Sequence, residues 1–130
     1  MQITSKKVTV KKSNAELCEF LSDVKNFEKL MPENTSKFEV IKENAFVFAL
    51  QGMPEIALEV KEVNAPNQVI LGAMSDKLPF TLTGNIEAID ETTSNAELLF
   101  EGDFNPMMKM MIKGPITKFL DALATNMEQL

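Results

Sequence analysis

Histidine, tyrosine, tryptophan and arginine are all missing from this chain, and cysteine occurs once, at Cys18. Each absence removes a class of chemistry. Without histidine there is neither the commonest general base nor the commonest metal ligand, and one thiol cannot complete a structural zinc site. No metal site and no cofactor are therefore expected. Without arginine the planar fork that grips phosphate or guanine is gone, since all 13 basic residues are lysines, and a net charge of −6 repels a polyanion. Nucleic acid is not an expected partner. One cysteine builds no disulfide framework, the opening MQITSKKVTVKK has no apolar leader core, and no apolar run could span a bilayer. A cytoplasmic chain without a transmembrane segment is expected.

What is present describes one globular unit. A chain of 130 residues, 45% hydrophobic and 25% charged, supports a single domain, 1–130, around one core. Charge is uneven along it. Lys6, Lys7, Lys11 and Lys12 give +4 to residues 1–12, three lysines against Asp121 and Glu128 give +1 to residues 106–130, and the middle carries −11. The basic start reads as a solvated face or a lysine-protected edge strand.

The first strand spans about Ile3 to Lys12, with Val8 and Val10 alternating against Lys7, Thr9 and Lys11. Ser13-Asn14-Ala15-Glu16 is a capping box that opens a helix, in which the Ser13 hydroxyl accepts from the Glu16 backbone and the Glu16 carboxylate reaches back. Leu17, Leu21 and Val24 give that helix an apolar face, and a second short helical segment, VKNFEKLM, stops before Pro32. From Lys37 the period changes to two. Six segments carry alternate apolar residues, as in Phe46-Phe48-Leu50 or Leu98-Phe100, and the short turn-like links between them predict antiparallel pairing. The last 25 residues form a helix capped by Asn105 and begun by Pro106, whose face of Met108, Ile112, Ile116, Phe119, Leu123 and Leu130 should press on the sheet. The class is α+β, in the order β-α-α-β6-α with a seven-stranded antiparallel sheet.

One stretch, NPMMKMMIKGP, does not fit that wheel. Met108 is on the stripe and Met111 on its flank, but Met107 and Met110 point away in a straight helix; Gly114-Pro115 should bend it, because Pro115 offers no N–H to the carbonyl of Met111. Methionine fills irregular core gaps, and it equally suits a surface that reshapes around a guest. Ala73, Gly84 and Gly102 at inward strand positions would leave volume there, although glycine in a strand also marks bends and bulges.

The segment VTVKKSNAELCEFLSDVKNFEKLMP, with Phe20-Leu21-Ser22-Asp23 and Met31-Pro32, resembles the entry segment of the START-like superfamily. This superfamily (SRPBCC) includes the birch pollen allergen type and the polyketide cyclase/dehydrase-like lipid-binding proteins. NPMMKMMIKGPITKFLDAL is similar to the closing helix of its bacterial members. The resemblance implies a helix-grip fold, a curved sheet wrapped around the long helix, and a hydrophobic cavity between them. It implies binding or transport of a lipid-, isoprenoid- or polyketide-like molecule.

The strand residues expected to line that cavity are Phe46, Phe48, Leu58, Leu71, Phe80, Leu82, Leu98 and Phe100, and the helix residues are Met108, Met111, Ile112 and Phe119. Met31, Pro32, Met53, Pro54, Leu78 and Met107 are expected near its mouth. The same alternation would also build a filled core. The chain lacks the histidine, tyrosine and arginine that would match the acid-base groups enzymatic relatives place in the cavity, so no catalytic residue is assigned and a noncatalytic carrier is the first reading. The alternatives are a cyclase/dehydratase-like enzyme using a charged group near the mouth (Asp76, Lys77, Glu101, Asp103 or Lys109), or an interaction module using exposed Met107 and Met110. Cys18 lacks a histidine to activate it and reads as a structural residue of a helix face. A monomer or weak homodimer is expected.

Overall fold

The computed structural model describes residues 1–53, 55–74 and 79–130. Within them the chain runs β1 (Gln2–Thr4), β2 (Val8–Val10), α1 (Asn14–Ser22), a 3-10 segment (Val24–Leu30), β3 (Thr35–Lys42), β4 (Ala45–Leu50), β5 (Ile56–Asn64), β6 (Gln68–Ala73), β7 (Phe80–Ala88), β8 (Ser94–Gly102) and α2 (Pro106–Glu128). The eight described strands form one antiparallel sheet in the order β1-β8-β7-β6-β5-β4-β3, with β2 also on β8.

The expected first strand is thus two. Thr4 faces Leu99 while Val8 faces Ala96, so three residues on one side oppose two on the other, which is a bulge. Ser5 holds it: its N–H donates to the Leu98 carbonyl at 2.8 Å and its hydroxyl accepts from the Leu98 N–H at 2.9 Å. The freed N–H of Lys6 donates to an Asp121 carboxylate oxygen on α2 at 3.2 Å, which ties the edge to the helix. Further extra residues interrupt β3 against β4 and β5 against β6. Each bulge bends its strand, and together they curve the sheet.

Both helices start where the caps predict. The Ser13 hydroxyl accepts from the Glu16 N–H at 3.2 Å, though the Glu16 carboxylate returns to that hydroxyl and not to the Ser13 backbone. Asn105 accepts from the Met108 N–H at 2.8 Å. α1 packs over β6, β7 and β8, while α2 packs over β1, β2 and β8 and on the 3-10 segment, whose end is fastened by a 2.8 Å bond from the Asn126 amide to the Leu30 carbonyl.

The core is fullest at one end. From Ile116 onward α2 buries Ile116, Phe119, Leu120, Leu123, Ala124 and Met127, whereas its first ten residues bury none completely and leave only Met108 and Ile112 half-covered. Five phenylalanine rings fill the space beneath the buried half. Phe46 contacts Phe27, Phe38 and Phe48 at 5.2, 5.2 and 6.0 Å, and Phe48 stacks on Phe119 at 4.9 Å.

Candidate functional site

Under the overhanging first half of α2 lies a cavity of about 490 Å³. Its floor is a second aromatic run: Phe80 meets Phe100 at 4.9 Å, and Phe100 stacks on Phe104 at 6.0 Å. Ile56, Ala57 and Ala73 continue the floor across the sheet, Met108, Met111, Ile112, Pro115 and Ile116 form the roof, and Gly52 and Met53 close one side. The wall is almost wholly apolar. Among the described residues its one charged member is Glu55, which sits exposed at the rim and accepts from the Lys37 ammonium at 2.8 Å. That contact raises the pKa of Lys37 above its ordinary value, by the hydrogen bond first and then by the charge of Glu55.

Six of the anticipated residues, Phe80, Phe100, Met108, Met111, Ile112 and Met53, stand together on this wall. Phe46, Phe48, Leu58, Leu71, Leu82 and Leu98 do not; all six are buried in the filled core. Phe46 and Phe48 belong to the five-ring run and α1 packs over β6, β7 and β8, whereas the cavity wall takes Ile56 and Phe80 at the starts of β5 and β7 and Ala73 at the end of β6. Phe119 and Pro32 line a separate hollow of about 570 Å³ on the other side of Met53 and Pro115. Met31 packs against the core, Met107 is 72% exposed, and Pro54 and Leu78 lie outside the described residues.

Of the three small inward residues, only Ala73 opens onto the cavity. The place of a Gly84 side chain is taken by Leu21, whose Cδ1 would lie 3.4 Å from an added Cβ, and that of Gly102 by the ring of Phe104. Phe104 and Ile56 stand on the wall without having been named as lining, although both fall on the alternating apolar positions of their segments, Leu98-Phe100-Phe104 and Ile56-Leu58-Val60. Pro115 and Ile116 enter through the course of α2, which runs through Pro115 as one helix.

The charged candidates for proton transfer stand apart. Glu101, Asp103 and Lys109 are exposed to solvent and none is on the wall, while Asp76 and Lys77 lie outside the described residues. Cys18 is buried on the inner face of α1. Among the described residues no buried side-chain nitrogen or oxygen lacks a hydrogen-bond partner, so no orphaned polar atom in the wall calls for a polar guest.

The architecture has solved counterparts. Norcoclaurine synthase from Thalictrum flavum superposes with a TM-score of 0.76 at 14% identity, over 99% of this chain and 84% of that one. A START superfamily protein from Mycobacterium smegmatis gives 0.68 at 14% identity, covering 98% and 97%. The chain has the START-like helix-grip fold. A conserved protein from Geobacillus kaustophilus shares it with a TM-score of 0.69 at 12% identity, over 99% of this chain and 93% of that one. No protein-family model matches the chain, and no curated protein matches it in sequence. Among the described residues no helix is long and apolar enough to cross a membrane.

Proposed function

We propose that this protein binds a hydrophobic small molecule, of lipid-, isoprenoid- or polyketide-like kind, beneath the first half of α2 and carries it in the cytoplasm without changing it. The observation that supports this is the apolar wall of a cavity of about 490 Å³, within the usual size of small-molecule sites. Burial of apolar surface supplies the driving force, at about 25 cal/mol per Å². Rigid rings form the floor, and the thioethers of Met108 and Met111 form part of a roof that can repack around guests of different shape.

A cyclase- or dehydratase-like enzyme is the second reading. Norcoclaurine synthase has the same fold, and Glu55 puts one carboxylate at the rim, within reach of a guest's polar edge. The carrier comes first because Glu55 is exposed and already engaged by Lys37.

Native mass spectrometry of gently purified protein, followed by extraction, tests both. The carrier reading expects an apolar adduct that leaves unchanged in mass; a bare chain that also ignores a library of lipids and polyketides would remove it. Conversion of the extracted molecule on incubation, abolished by Glu55→Gln, would put the enzyme first.

A further inference from the structure

The methionines at the start of α2 are only partly used by the cavity. Met107 is 72% exposed, Met110 84% and Met111 65%, three large apolar side chains on adjoining positions of two turns. The other large apolar residues exposed among the described ones, Val40, Ile41, Val63 and Ile89, are on β3, β5 and the β7–β8 turn. Spacing of three and four residues sets Met107, Met110 and Met111 on one side of the helix, with exposed Gly114 continuing it. A face so greasy in water asks for a partner.

Charge indicates which one. Lys109 and Lys113, one turn apart, form an exposed stripe beside Met110, and Lys118 follows; residues 104–120 contain no acid, in a chain whose net charge is −6. Asp103 and Glu101 precede the helix, and Asp121 beyond it is bonded to the Lys6 N–H. The exposed N-terminus of α2 adds the positive end of the helix dipole. Apolar side chains flanked by lysines on a helix lying at a surface are the composition that enters the boundary between lipid headgroups and acyl chains.

We propose that the first two turns of α2 dock the protein on an anionic lipid bilayer, Met107, Met110 and Met111 entering between lipids while Lys109 and Lys113 meet the headgroup charges. The docking does not require an occupied cavity. It does lay against the membrane the helix whose opposite side, at Met108 and Ile112, roofs the cavity.

Flotation of the full chain with vesicles tests this. Vesicles of phosphatidylcholine with phosphatidylglycerol should carry the protein up, phosphatidylcholine alone should not, and high salt should release it. Lys109→Gln and Lys113→Gln should each weaken binding about fivefold. The double variant Met107→Ser/Met110→Ser should stay in solution yet keep its thermal melt and its affinity for an apolar fluorescent probe, since neither side chain lines the cavity. If the serine variant fails to fold, the lysine variants still decide. Failure of the wild type to float, equal flotation of wild type and variants, or equal binding to neutral vesicles would overturn the proposal. So would a concentration-dependent dimer that Met110→Ser dissolves and that ignores vesicles. Probe binding without vesicle binding would remove the docking and leave the carrier standing.

Discussion

A Cβ on Gly102 would collide with the ring of Phe104 and stand 3.0 Å from the Phe80 Cβ, so the aromatic floor exists because that position carries no side chain. Gly102→Ala should destabilise the fold by about 1–3 kcal/mol, the usual cost of overpacking, read from urea unfolding. Ala73 is the converse case, a small residue facing empty space. Ala73→Phe should lower affinity for an apolar probe at least about tenfold, or about 1.4 kcal/mol, without lowering the melting temperature. Phe46 sits in filled core, and Phe46→Ala should cost about 3–5 kcal/mol of stability. If Phe46→Ala is cheap, or Ala73→Phe unfolds the protein, the division between packed and open ends of the sheet is wrong. Alternation identified all three as inward residues. It could not say that Phe104 would fold back over Gly102, because that contact depends on how the chain leaves β8.

At the scale of elements, the first half of α2 has little beneath it, so its order depends on its cap. Asn105→Ala removes the acceptor of the Met108 N–H and should cost about 1 kcal/mol of stability. The roof would fray with it. A matching loss of probe affinity is expected, and unchanged binding would show that the cap does not govern the site. The helix ends were legible because a cap is a local hydrogen bond between residues three apart. The division of the first strand into β1 and β2 was not, because the bulge at Ser5 arises from its bonds to Leu98, 93 residues away.

For the whole molecule, three solvent-accessible groups among the described residues shape the response to pH. The Lys61 ammonium bonds the Glu59 carboxylate and the Thr92 N–H bonds that of Asp90, holding both below their ordinary values of 4.5 and 3.8. Such depressed groups add stability above those values that is lost as pH falls through the folded pKa. Lys37 is raised above 10.5, chiefly by its bond to Glu55, so its contribution is complete below 10.5 and lost as pH rises through the folded value. Thermal melts should therefore show a plateau that declines at both ends. Salt should flatten both declines, since all three groups are in contact with solvent, and Glu55→Gln should remove the alkaline part that Lys37 carries. A melting temperature that keeps falling through the neutral range would contradict this.

The sequence by itself determined the class, the strand periods, both capped helices and the inward face of each element, because these follow from local bonds and from spacing along one chain. It also marked the methionine stretch as more than the helix stripe needed. Only the tertiary structure decided where the inward face is filled and where it is open. That depends on the curvature imposed by bulges, on α1 and five phenylalanine rings gathering over one end of the sheet, and on α2 reaching past them over the other. An apolar residue faces the interior by its own pattern, but whether it meets a neighbour there or empty space depends on residues far from it in the chain.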